Sequence, residues 1–203
     1  MGKVPPRMAL RRRVIALLCL PVLSLGASAC GEEEDVSIQG TGTPGEAFRE
    51  GLAEELDGLE YNIFITRQLN PAITPDQAFY KGPEAGKGKT LYGVFVQVCN
   101  HEEEAARSVP AEKFVIKDSR EEEFEPKPLP RDNDFAYNQR TLQPNECIPA
   151  DGSVAQQTSA AGAMLLYEFP VETLENRPLE LEIEGSYNLM HGKHGKLDFE
   201  LDF

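Results

Sequence analysis

Residues 190–194 hold the densest set of soft and imidazole donors in this chain: Met190, His191 and His194 stand as M-H-x-x-H within NLMHGKHGK. A thioether beside two imidazoles suits copper, and imidazole alone suits zinc. The segment is Gly-rich and lies between two strand-like runs, so nothing local fixes the ring orientations that a metal centre requires. A polar hairpin connection is the simpler reading, and a metal role for Met190, His191 and His194 is the alternative to it. The third histidine, His101, stands apart from this group. The acidic runs 102–104 and 121–123 attract cations, but consecutive carboxylates on a strand end cannot all face one ion. No GxSxG, SxxK, HExxH, P-loop or GxGxxG pattern occurs. The expectation is a chain that is not an enzyme and holds no cofactor.

The four cysteines divide by position. Lys3, Arg7, Arg11, Arg12 and Arg13 precede a short apolar run over 14–25 that Pro21 interrupts, and Ala27, Ser28 and Ala29 then lead into Cys30 and Gly31. This is the order of a secretory signal peptide, and the run is shorter than the ~20 apolar residues of a spanning helix. Small residues ending at a Cys resemble the lipobox of bacterial lipoproteins, over residues 25–30. The resemblance implies cleavage before Cys30 and a diacylglyceryl group on its thiol, with Ala27 standing where Leu is commoner. Ordinary cleavage after Ala29, releasing a soluble protein, is the other reading. Cys19 leaves with the signal, so Cys99 and Cys147 remain outside the cytoplasm, where two thiols generally pair. Their bridge would close a loop of 48 residues, worth at most about 4 kcal/mol in the chain-entropy picture. Their spacing matches no CxxC redox or zinc pattern.

Charge narrows the partners. The chain carries −14 overall, but five of its 20 basic residues precede residue 30 and all 34 acidic ones follow it, which leaves the remainder at −19. Such a field repels nucleic acid and anionic lipid and favours cations, basic partners or simple solubility, a solvated surface being the simplest reading. A membrane reached through a lipid anchor, and an envelope protein, are the partners expected.

These residues need a scaffold, and the apolar pattern describes one. Residues 31–45 (GEEEDVSIQGTGTPG) are too polar to fold alone and read as a disordered tether. Phe48, Leu52 and Leu56 recur every four residues, which suits one or two turns of helix or, with Gly51 among them, plain linker, so 30–57 are assigned as lipidated Cys and flexible acidic tether. Residues 91–100 (LYGVFVQVCN) are apolar on both faces, the mark of a central strand. Strands are also expected over 60–67, 113–117 and 122–125, with a weak one over 135–141. AMLLYEF at 163–169 is a second central-strand candidate that Pro170 ends. Leu179, Leu181 and Ile183 alternate with Glu180, Glu182 and Glu184, and Leu197, Phe199, Leu201 and Phe203 alternate with Asp198, Glu200 and Asp202. These are half-wet strands. Seven or eight strands in about 150 residues imply an all-β antiparallel sandwich over 58–203.

A family resemblance rests on the order of several pieces: 96–100 ending in Cys99 and Asn100, KFVIKDSREEEF (113–124), LQPNECIPADGSVAQQ (142–157), GAMLLYEFPVE (162–172) and PLELEIE (178–184). Over 58–203 the chain resembles the telokin-like, immunoglobulin-like domains of uncharacterised function in lipoproteins of Gram-positive bacteria. Asp151, Gly152 and Ser153 replace the family's Pro-Gly segment, and the chain has no Trp. The resemblance implies an immunoglobulin-like sandwich and a membrane address; it supplies no catalytic residues.

Sandwich domains bind through end loops or strand edges. Residues 81–89 and 127–138 are the longest irregular pieces, and Phe135 and Tyr137 on the second are candidate contact residues for a partner. Aromatic residues so placed serve equally as plugs that close a sandwich. The expected function is that of a membrane-anchored extracytoplasmic lipoprotein with a non-catalytic binding or structural domain.

Overall fold

The computed structural model describes residues 46–101, 107–108, 111 and 113–202. The signal peptide at 1–29, Cys30, the tether at 31–45, the acidic run 102–104 and Phe203 lie outside the described residues.

The strands are β1 (Phe48–Arg49), β2 (Ala53–Leu56), β3 (Leu59–Leu69), β4 (Lys89–Cys99), β5 (Arg107–Ser108), β6 (Lys113–Lys117), β7 (Glu123–Phe124), β8 (Thr141–Leu142), β9 (Cys147–Ile148), β10 (Ala163–Pro170), β11 (Glu180–Asn188) and β12 (Lys193–Glu200). Two short helices, α1 (Asp76–Phe79) and α2 (Val154–Gln157), interrupt them. One sheet runs β1-β12-β11-β6-β7 and the other β10-β4-β3-β2, with β9 also on β4 and a separate β5–β8 pair. The two large sheets pack as a β-sandwich. Among the described residues its strand ladders are antiparallel except β1 on β12, which is parallel.

β4 is buried along nearly its whole length because it serves two cores. Tyr92, Val94, Val96 and Val98 point between the sheets, into a core shared with Tyr61, Tyr167, Phe169, Leu181, Ile183 and Phe199. Leu91 and Phe95 point the other way, into an outer layer with Leu69, Phe79, Tyr80, Phe135, Ala155, Met164 and Leu166. With no Trp, the inner core is filled by rings: Phe169 packs on Tyr92 and Phe124 at centroid distances of 5.4 and 5.2 Å. Burial pushes the phenols of Tyr61, Tyr92 and Tyr167 well above their usual pKa.

The alternating runs behave as their period requires. Leu181 and Ile183 on β11 and Leu197 and Phe199 on β12 are buried, and the opposite face carries a charge ladder. Glu182 is the buried rung, and Lys117 and Lys196 each donate to its Oε2 at 2.8 Å. Burial pushes that carboxyl up, but the two ammonium groups outweigh it and hold it below the usual range. Asp198 and Glu180 move the other way, raised first by burial and then by neighbouring carboxylates.

Three expectations are corrected. Residues 46–56 form β1 and β2 instead of a helix, so the sandwich begins before residue 58. The Asp57-Gly58 pair, with φ of 53° and 74°, makes a two-residue hairpin turn that folds β2 onto β3. β10 is an edge strand and not a central one. Its apolar faces are explained by cover, since the chain at 127–137 lies along its free edge through bridges from Lys127 to Leu166 and from Ala136 to Met164. That same cover replaces the strand expected at 135–141, where only Thr141 and Leu142 are in a ladder.

Cys99 and Cys147 are joined, with S–S at 2.06 Å. β9 takes over β10's lane beside β4 and sets the two residues directly opposite each other.

Candidate functional site

The outer layer on the β10-β4-β3-β2 sheet is built from loops, and it is here that the two longest irregular pieces meet. Arg67 on β3 reaches the buried carboxylate of Asp76 at 2.6 Å, and Asn70 N–H donates to the same side chain at 2.8 Å. The guanidinium also sits 5.8 Å from the centre of the Phe79 ring. These contacts fix α1 against the sheet. Asn133, from the other loop, then donates its side-chain amide to the Phe79 carbonyl at 3.0 Å. Its own Oδ1 accepts Phe135 N–H at 2.8 Å, which turns the chain so that Phe135 drops into the layer.

Phe135 is therefore 4% exposed, wedged edge-on against Phe79 with centroids 4.9 Å apart. Tyr137 turns the other way, into the inner core, edge-on to Phe114 at 5.0 Å. Burial, and then the nearby Tyr61, push its phenol well up. Of the two readings of these aromatics, contact residues or plugs, their burial fits plugs: wrapping round the edge of β10 sends Phe135 into the outer layer and the partly buried Tyr137 against the inner core.

What the loops expose instead is a pair of adjoining hollows, of about 660 and 450 Å³, that share Ala78, Lys81, Gly82 and Asp134. Phe135, Val154 and Pro71 give the larger one an apolar lining. Tyr80, Pro83, Pro128 and Pro130 line the smaller one, with Asp132 and Asn133 among them. At Gly82 the end of the Tyr80 ring fills the space that a Cβ would take, so a side chain there would have to displace that ring. The rims carry Lys81, Asp132 and Asp134, all solvent-exposed. Rigid Pro walls, an apolar floor and separated charges of both signs are equipment for binding. A third hollow, of about 320 Å³, opens where β6 and β10 part, beside Tyr137 and Phe114.

Met190, His191 and His194 lie on the β11–β12 hairpin. Asn188 Oδ1 accepts the N–H groups of Met190 and His191 at 2.9 and 3.3 Å, closing the turn. Met190 is 92% exposed. His194 Nδ1 is 2.8 Å from Gly185 O, and its ring meets Tyr187 edge-on at 5.2 Å. Among the described residues no group of three His, Cys, Asp or Glu side chains is placed to hold a metal ion. His101 pairs with Glu60 at 3.1 Å, far from the hairpin in sequence.

Sequence reasoning passed over the Arg67–Asp76 pair and Asn133. An Asn two residues before an apolar one in a Pro-rich loop is a signal for a side-chain-closed turn, but nothing local reveals that its amide reaches Phe79.

No protein-family model matches the chain, and no curated protein matches it. Among solved structures, a Bacillus subtilis protein, ycdA, named a candidate lipoprotein, is similar at 12% identity with a TM-score of 0.43. The similarity covers 74% of this chain but only 38% of that one.

Proposed function

We propose that this chain is an extracytoplasmic lipoprotein, held to the membrane through a lipid on Cys30, whose sandwich is a non-catalytic, immunoglobulin-like binding module. The anchor reading rests on the order of charge, apolar run, small residues and Cys at the N-terminus. The binding reading rests on one observation above all. The loops 70–89 and 127–138 are locked together by Asn133 and Phe79 and present adjoining hollows with charged rims. A site fixed by buried contacts is preorganised, so its partner is bound with little ordering cost.

The native mass of the protein extracted from its own membranes tests the anchor. The expected mass starts at Cys30, carries a diacylglyceryl group and lacks two hydrogens for the Cys99–Cys147 bridge. A mass starting at Cys30 without lipid overturns it. Bound copper or zinc in the same spectrum would favour the alternative reading through Met190, His191 and His194. For the binding face, reversing the charges of Lys81, Asp132 and Asp134 together should abolish co-purification with an envelope partner while leaving the fold intact. Unchanged co-purification would remove the loop face from the reading.

A further inference from the structure

The end of the molecule formed by the β11–β12 hairpin differs in character from the acidic remainder. Leu189 and Met190, at its tip, are 88% and 92% exposed, the highest values for large apolar side chains among the described residues, and Tyr187 beside them is 52% exposed. The stretch 185–196 itself contains no carboxylate, although Glu182 holds Lys196 at 2.8 Å and Glu184 lies 3.6 Å from His194 at its base. The tip is also held firmly. Ser186 N–H and hydroxyl both donate to Asp57 Oδ2, at 2.6 and 2.9 Å, so the β2–β3 turn braces the base of the hairpin. Gly192 N–H donates to Asn188 O at 2.8 Å and closes the loop.

The direction of β1 adds a second, independent observation. β1 pairs in parallel with β12, Phe48 beside Phe199 and Arg49 beside Glu200. The chain therefore reaches Phe48 from the side on which β12 begins, at Lys193, and that is the side of the tip. Phe199 lies six positions after Lys193, so the hairpin projects about 20 Å beyond that pairing, on the side from which residue 47 enters β1. From Cys30 to Phe48 is 18 residues, a reach of at most about 60 Å.

We infer that Leu189 and Met190 insert into the headgroup region of the bilayer to which Cys30 is anchored. Exposed apolar side chains on a braced turn suit that interface, where burial of apolar area drives insertion. The inference rests on the anchor reading. It gives the domain a second point of attachment and turns the opposite end, with β11's first residue and residues 171–175, away from the membrane.

The chain has no Trp, so the full lipidated protein can carry a single reporter. Leu189→Trp places it at the tip, and Val171→Trp, at a 47% exposed site beyond β10, places it at the other end. Each variant is reconstituted into vesicles of phosphatidylglycerol or phosphatidylcholine with brominated acyl chains. The expected result is blue-shifted, quenched emission from Leu189→Trp in both lipids and water-like emission from Val171→Trp in both. Water-like emission from Leu189→Trp on vesicles that still carry the protein would overturn the hairpin contact alone and leave the anchor reading standing. Failure of the wild-type chain to float with vesicles would overturn the anchor, and the hairpin contact with it.

Discussion

Phe79 and Phe135, 56 residues apart in sequence, meet edge to face with ring centroids 4.9 Å apart and planes at 88°. This contact joins the α1 loop to the 127–138 loop, so the candidate binding face exists only while both rings stay buried. Phe135→Ala should cost about 3–5 kcal/mol in urea unfolding, the usual range for emptying a buried Phe site. A cost near zero would mean that the outer layer contributes no packing.

The Cys99–Cys147 bridge spans 48 residues, a stretch that contains β5 to β8 and the covering segment. Replacing both cysteines with Ala should lower stability by up to about 4 kcal/mol, chiefly by freeing the unfolded chain. Guanidinium unfolding of the variant, compared with the reduced and oxidised wild type, measures it. Because Cys99 pairs with Cys147 across a ladder that β4 already fixes, the native strand order should survive the change.

Asp118 ends β6 with a carboxylate that accepts Arg120 N–H at 2.9 Å, Glu122 N–H at 3.0 Å and the Asn176 amide at 2.9 Å. Burial pushes its pKa up, but these donors prevail and hold it below the usual value. A lowered native pKa means that the stabilisation is complete above the unfolded value, about 3.9, and is lost as pH falls through the native one. The stability gap between wild type and Asp118→Asn, measured by urea midpoints, should therefore be widest near neutrality and shrink below about pH 4. A gap that does not change with pH would exclude the carboxylate as its source.

Gly162 lies where β10 starts against β4. A Cβ there would stand 2.8 Å from Phe95 C and 2.9 Å from Val96 N, both backbone atoms that cannot swing aside. Gly162→Ala should cost about 1–3 kcal/mol as overpacking, read as a lowered melting temperature, whereas Gly51→Ala meets no atom within 4 Å and pays only for its positive φ.

The sandwich was legible in the sequence where period 2 is strict. β11 and β12 declare their wet and dry faces through Glu180 to Glu184 and Asp198 to Glu200, and β4 declares two buried faces. β10 has the same signature for a different reason, because burial pattern reports what covers a strand and not its lane in the sheet. Phe48, Leu52 and Leu56 imitate a helical period, yet Leu52 is 51% exposed while Leu56 is fully buried, and the Asp57-Gly58 turn carried the true signal. The candidate site was legible only as two loops. Their union depends on the Asn133–Phe79 hydrogen bond and the Arg67–Asp76 pair, long-range contacts with no periodicity to betray them.

The parallel pairing of β1 with β12 also has a mechanical meaning. A pull arriving through the N-terminal side, opposed by a load on the C-terminal end of β12, runs along both strands in opposite directions. The bonds between them, together with the clasp of Glu50 on Thr66 and Asp202, are then loaded side by side in shear. None can be peeled open before the others, so the domain meets tension applied at β1 with the stiffest arrangement that a short strand pair offers.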